Sequence, residues 1–342
     1  MTRLNVLDFG AKPDGSREDA SCNDEAFATA ISSLATTGGT LDIPHGTYYL
    51  LRSIALRQVR NIILSGSGGN RGRSGTRLVY VGNDPAGCLH LSTCMHGRFE
   101  DICFAAEGAM TEAVVRVDAV EDGPDAVSSL NNVFERCTFQ SAADAELCGV
   151  SMKDAAHTEF RHCWFRTAQI AARIGAPMRK PRPTISNGQC SNTVFDQCIL
   201  FGDVIGERGT NVTFQHCEFA ELQNGDGAKI NFGIGENPHM RNVTIRDCFA
   251  LNGKSHAGTF FTQGRGGEGL CMTNNRIRGY SVAVKIDGRG GALLAANVFE
   301  QVGPGAVDVE IHCTREAVSL LANVHSETLR AGNQAVVDAN MA

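Results

Sequence analysis

One phrase constrains this chain more than anything else in it, Phe-x-x-Cys-x-Phe, which occurs as Phe134–Phe139, Phe160–Phe165 and Phe214–Phe219. Looser copies begin at Phe99, Phe195 and Ile245, and the same frame continues at Met272, Leu294 and Leu320. The central column reads Ile102, Cys137, Cys163, Cys198, Cys217, Cys248, Asn275, Asn297 and Asn323, with separations of 35, 26, 35, 19, 31, 27, 22 and 26. Nine copies establish a repeat architecture before any local assignment is made. Their uneven spacing implies connecting loops of varied length.

Within one copy the pattern is that of strands. In Asn211–Phe219, Val212 and Phe214 alternate with polar residues, and so do Cys217 and Phe219, but the two alternations are out of phase by one residue. A bend at Gln215–His216 brings all four side chains to one interior. Further strand-like runs lie between the copies, at Ala113–Val117, Gln169–Ile174, Ala228–Ile234, Val282–Ile286 and Val307–Ile311. No single copy can bury its own apolar face, whereas a stack of them buries a continuous core. The expected fold is all-β, a right-handed parallel β-helix of roughly ten rungs. Glycine supports it: 38 of 342 residues, against 9 prolines, supplies many tight turns.

Neighbouring rungs of a parallel sheet are about 4.8 Å apart. Cys137 to Cys248 should therefore form an inward ladder of thiols, continued by the amides of Asn275, Asn297 and Asn323. In-register parallel side chains rarely meet disulfide torsions, and no ladder cysteine has a compact C-x-x-C spacing. Packing thiols are expected, with neither a metal nor a cofactor. His90, Cys94 and His96 could hold a metal, but no fourth ligand is identifiable and a turn accounts for them better.

At the start of the chain, Ser21 or Asn23 is positioned to cap a helix over residues 24–34, with Phe27, Ile31 and Leu34 on one face. Such a helix would close the open end of the solenoid. The expected division is an N-terminal cap over residues 1–50, rungs over 51–325 and a C-terminal end over 326–342. Val6–Gly15, this helix and Gly39–Tyr48 together resemble the opening of pectate-lyase-superfamily β-helices, which include polygalacturonases, rhamnogalacturonases, epimerases and many phage tailspikes. Ile62–Thr76 is similar to the glycine-rich turn that follows in them. The resemblance implies the fold, and its members differ in chemistry.

The activity motifs of a polygalacturonase are not matched: the nearest phrases are Asn224-Gly-Asp226-Gly and Ser255-His256-Ala-Gly258. Glycan cleavage needs two carboxylates close together. Glu218, Asp226 and Asp247 are the catalytic candidates, and a solvated outer face accounts for the same acids. Trp164, His216 and the basic segment Arg179, Lys180 and Arg182 are candidates for substrate binding, with an exposed bend and a solvated loop as the plainer alternatives.

The column that follows the ladder reads Thr138, Trp164, Ile199, Glu218, Phe249, Arg276, Val298 and Val324 on a face expected to point outward. A monomer rarely exposes such an apolar strip; a cyclic homotrimer would cover it, and so would a loop of the same chain such as 176–191. With 31 Lys+Arg against 37 Asp+Glu, the net charge of −6 argues against a general nucleic-acid partner. No run is long and apolar enough for membrane insertion, and the first residues lack the apolar core of a secretory signal. The resulting expectation is a phage virion surface protein, of tail-associated spike or head-decoration type, that binds bacterial surface polysaccharide, with its cleavage left open, and partners capsid or tail proteins. A signature beginning at residue 6 leaves little room for a separate particle-binding domain, which favours decoration. The alternatives are a bacterial polysaccharide lyase, hydrolase or epimerase, in the cytoplasm or exported without a classical signal, and a non-catalytic adhesive solenoid.

Overall fold

The computed structural model describes residues 2–68, 75–83, 87–107, 112–119, 128–141, 148–175, 189–220, 227–235, 238–253, 257–288, 290–301, 305–312, 318–325, 328–331 and 337–340. Of residues 168, 290, 325, 328–331 and 337–340 it describes the backbone alone.

The chain winds through three faces, rung after rung, into a right-handed parallel β-helix. The first face runs from Arg3–Asn5 and Gly39–Asp42 through Cys190–Asp196, Arg208–Gln215 and His239–Arg246 to Val337–Asn340. Its path contains thirteen strands, more than the ten rungs expected, because the stack starts before the first Phe-x-x-Cys copy and continues past the last. The second face carries Gly46–Leu50, Ile102–Ala106, Thr138–Ser141, Glu218–Phe219, Phe249–Leu251, Arg276–Arg278 and Val298–Glu300. The third carries Leu89–Ser92, Ala113–Asp118, Cys148–Met152, Ile230–Phe232, Thr259–Gln263, Val282–Ile286 and Val307–Ile311. Trp164–Ile174 and Ile199–Gly206 are long enough to serve both of these faces.

The bend that separates the first two faces is a single residue in the left-handed region. Arg136, His162, Gln197, His216, Asp247 and Asn274 occupy it with φ between 51° and 56°. One left-handed residue turns the strand and shifts the side-chain phase by one. Phe214 and Cys217 consequently both face inward.

The interior is a set of stacked columns. Phe99, Phe134, Phe160, Phe195 and Phe214 stack with ring centroids 4.6, 5.1, 4.9 and 4.7 Å apart, a spacing imposed by the rungs. Beside them run the ladder thiols. Those of Cys163, Cys198 and Cys217 donate to the carbonyls of Phe134, Phe160 and Phe195 on the preceding rung at 3.3–3.4 Å. The amides of Asn275, Asn297 and Asn323 take over the same bond, donating to the carbonyls of Ile245, Met272 and Leu294 at 2.8–2.9 Å. The twelve cysteines among the described residues are all free.

Two local expectations are corrected. The helix spans Ala20–Leu34 and starts before Ser21 and Asn23. Asn23 is buried inside it, accepting from the Lys12 amide at 2.8 Å and donating to the Tyr49 carbonyl at 3.1 Å, so its side chain ties helix to rung instead of capping. Ser16 and Asp19 form a capping box on the short turn ahead of the helix. The outward column is also only partly exposed: Thr138 is fully buried, Trp164, Ile199 and Val298 are half-buried, and Glu218, Phe249, Arg276 and Val324 are exposed. In a single chain, the cover over Thr138 comes from the chain itself.

Candidate functional site

Two of the residues singled out from the sequence, His216 and Asp247, meet at one corner of the solenoid, and a third, Glu218, lies on the adjoining face. Because His216 is the left-handed bend residue of its rung, its side chain projects from the edge between the first and second faces. The imidazole is flanked by the rungs on either side. Nδ1 lies 3.1 Å from Oδ1 of Asp196, and Nε2 lies 3.9 Å from Oδ2 of Asp247. Asp247 occupies the same bend one rung on, and its Oδ1 accepts from Asn274 Nδ2 at 2.6 Å. Glu218, two residues beyond His216, is exposed on the second face.

Glu218 belongs to a register column. Trp164, Ile199, Glu218, Phe249 and Arg276 pair in succession across that face, so each is one rung, about 4.8 Å, from the next. Trp164 leans on Phe201, ring centroids 6.4 Å apart. Arg276 is held by Glu300, with Nη2 2.8 Å from Oε1. Chemically the corner offers an imidazole fixed through one nitrogen and a carboxylate near the other, a unit able to move a proton. Beside it lie an exposed acid and aromatic surface.

The remaining candidates, Asp226, Arg179, Lys180 and Arg182, lie outside the described residues. The possible metal set does not converge. Cys94 is buried in the core, His96 sits in a left-handed turn, and His90 points out from the third face to Asp118, Nε2 to Oδ1 2.9 Å. Among the described residues, no group of three or more His, Cys, Asp or Glu side chains is arranged to hold a metal ion.

One feature has no counterpart in the sequence reading. A cleft of about 540 Å³ opens where the third face turns toward the first, lined by Ile234, Pro238, Thr262, Arg265, Asp287 and His312 and by glycine backbone. It draws residues from several rungs, which loops of unequal length separate in sequence. The available signal is the phrase Gly-Arg-Gly-Gly, which occurs at 264–267 and again at 288–291.

Comparison with known proteins agrees with this architecture. The structure of the mannuronan C-5 epimerase AlgE4 A-module of Azotobacter vinelandii superposes with a TM-score of 0.59 at 12% identity, covering 98% of this chain and 97% of that one. A double-mutant tailspike protein of E. coli bacteriophage HK620 gives 0.54 at 14% identity, covering 97% and 67%. Tailspike gp49 of Acinetobacter baumannii bacteriophage Fri1, a capsular polysaccharide depolymerase, gives 0.52 at 13% identity, covering 97% and 65%. At such identities the likeness is one of fold. No curated protein sequence matches the chain. Residues 3–226 match the family model described as rhamnogalacturonase A/epimerase, pectate lyase-like. That match spans most of the chain, and with the parallel three-faced stack it assigns the protein to the rhamnogalacturonase A/epimerase, pectate lyase-like family.

Proposed function

We propose that this chain is a bacteriophage virion surface protein, of tail-associated spike or head-decoration type, that binds bacterial surface polysaccharide on the outside of its second face. The observation that carries the reading is the column Trp164–Ile199–Glu218–Phe249–Arg276. Aromatic side chains offer flat apolar surface to sugar rings, while Glu218 and Arg276 supply hydrogen-bonding ends at the rung spacing. Fold relatives among phage tailspikes support the setting. We assign the assembled form as a homotrimer, in which neighbouring copies cover Leu321 and Val324, beyond the end of that column.

His216 favours a second reading, in which the bound polysaccharide is also cleaved or epimerised. Asp196 holds Nδ1, which leaves Nε2 as the nitrogen that exchanges a proton with a bound sugar, with Asp247 on its far side.

The test is titration of the purified protein against a panel of bacterial surface polysaccharides, together with mass spectrometry of purified phage particles. Saturable binding that Trp164→Ala weakens, and recovery of the chain in particles, are the expected results. Failure to bind any member of the panel overturns the glycan reading, and consistent absence from particles overturns the virion setting.

A further inference from the structure

The stack begins unevenly. Its first face starts with Arg3–Asn5, one strand ahead of the second and third faces, whose first strands are Gly46–Leu50 and Ile54–Arg57. In the slot ahead of Gly46–Leu50 the N-terminal cap stands in for the missing strand. The Asp14 amide bonds to the Thr47 carbonyl and Asp14 Oδ1 accepts the Thr47 amide, both at 2.9 Å. Asn23 Nδ2 donates to the Tyr49 carbonyl at 3.1 Å, and Asp24 Oδ1 accepts the amides of Leu51 and Arg52 at 3.1 Å.

The slot ahead of Ile54–Arg57 has no such filling. That strand pairs on one side only, with Leu89–Ser92. The amides of Ile54 and Gln58 point to this neighbour, bonding to the carbonyls of Cys88 and Ser92 at 2.9 Å. Alternation along a parallel ladder therefore turns the amides and carbonyls of Ala55 and Arg57 to the opposite edge. Among the described residues nothing bonds to them. The helix Ala20–Leu34 runs past this edge without serving it: the hydroxyls of Thr29 and Ser32 bond back to the helix carbonyls of Glu25 and Ala28 at 2.8 Å. Between helix and strand lies a cleft of about 250 Å³, with Phe27, Ile31, Leu50 and Ile54 as its buried floor and Glu25 and Ser32 on its rim.

A free strand edge above an apolar floor is the template that an added β-strand uses, with main-chain bonds at the edge and alternate side chains in the groove. Charge indicates which segment fits. The helix contains Asp24 and Glu25 and no basic residue, and Glu25 is exposed and in no ion pair among the described residues. A cation at the near end of the segment complements it.

We infer that this edge docks an extended segment of a partner protein, which adds a parallel strand ahead of Ile54–Arg57, sets apolar side chains on the groove floor at alternate positions and brings a lysine or arginine beside Glu25. The segment continues the pattern of the third face, where Leu89 and Leu91, Val115 and Val117, and Val150 and Met152 face the core in successive rungs. The inference goes beyond the glycan reading and does not depend on it.

Calorimetric titration and hydrogen exchange of the full chain with the peptide Lys-Val-Thr-Val-Thr-Val test it. Saturable binding is expected, together with slowed exchange of the Ala55 and Arg57 amides, which exchange freely without peptide. Ala55→Pro removes a donor that bonds to nothing within the chain, a change that a strand edge tolerates, and should weaken binding about fivefold or more. Glu25→Lys, on the exposed side of the helix, should weaken it as well and leave the melting temperature of the parent. No binding at millimolar peptide, binding that neither variant weakens, or Ala55 and Arg57 amides already protected in the dilute free chain overturns the inference. Protection that grows with protein concentration in the absence of peptide assigns the edge to a second copy and overturns the partner segment.

Discussion

Asn275 and Asn297 meet inside the solenoid, the Nδ2 of the first 2.9 Å from the Oδ1 of the second. That same oxygen accepts the Asn275 backbone amide at 3.0 Å, while Asn297 Nδ2 reaches the Met272 carbonyl and Asn323 Oδ1. One amide thus satisfies buried groups on both neighbouring rungs. The ladder thiols make long carbonyl contacts, as from Cys217 Sγ to Phe195 at 3.4 Å and Gln215 at 3.3 Å, and a weak acceptor contact, as where the Cys217 amide meets Cys248 Sγ at 3.4 Å. Asn297→Ala leaves several buried polar groups without partners and should cost about 3 kcal/mol or more. Asn297→Cys restores the thiol form of the ladder and should cost less. Chemical denaturation of both variants orders them; equal losses would mean that the ladder acts by volume alone.

Burial also sets how the molecule responds to alkali. The thiols of Cys94, Cys148 and Cys190 are pushed up to about 12 from an ordinary 9.0 by removal from water. Those of Cys163, Cys198 and Cys217 are raised well above it, again chiefly by burial. A thiol that titrates higher when folded holds its proton where the unfolded chain has lost it. Its contribution is whole below pH 9 and is lost as pH rises through 9 toward 12. Denaturation midpoints should fall steadily over that window, and less steeply in Cys148→Ala. In the native protein at pH 8, a thiol reagent should label exposed Cys22 ahead of every buried ladder cysteine.

The solenoid was legible because its rule is local. Val212, Phe214, Cys217 and Phe219 announce two strands and the bend between them within nine residues, and the bend needs only His216 in the left-handed region. The helix start was misplaced because Asn23, a good cap by type, is used in a contact with Tyr49 that sequence distance hides. Thr138 was read as exposed because alternation reports which side of a strand a residue occupies and not what lies over it. The corner at His216 was half legible: Asp247 sits in the same bend column, whereas Asp196 ends a strand one rung earlier, at a repeat position next to the bend column rather than in it. The cleft was invisible because Gly233, Arg265, Asp287 and His312 become neighbours only through rung stacking.

Two alanines break the habit of the bend column. Ala296 and Ala322 take φ of 53° and 48° where the preceding rungs place Arg, His, Gln, Asp or Asn. A Cβ in the left-handed region costs about 1 kcal/mol or more, which Asn offsets by local hydrogen bonding and Gly avoids. Ala296 is exposed, so little packing is lost on replacing it. Ala296→Gly and Ala296→Asn should each stabilise the protein by about 0.5–1 kcal/mol, visible as a raised melting temperature. A lowered one would place the strain elsewhere.

The bend column turns apolar where the adjoining surface does. Leu321 and Val324 lie on either side of Ala322 and are 37% and 60% exposed. Neither Leu321 nor Val324 is packed well enough for a charged replacement to unfold the chain, so a double variant Leu321→Asp, Val324→Asp should fold with a melting temperature close to that of the parent. If copies of the chain bury this corner against one another, each buried carboxylate would face an apolar neighbour with no partner, a cost of several kcal/mol per interface. Light scattering should therefore find the parent as a trimer and the double variant as a folded monomer. A parent that runs as a monomer at micromolar concentration would remove the trimer from the proposed assembly, while the glycan-binding column along Trp164, Glu218 and Arg276 would be unaffected.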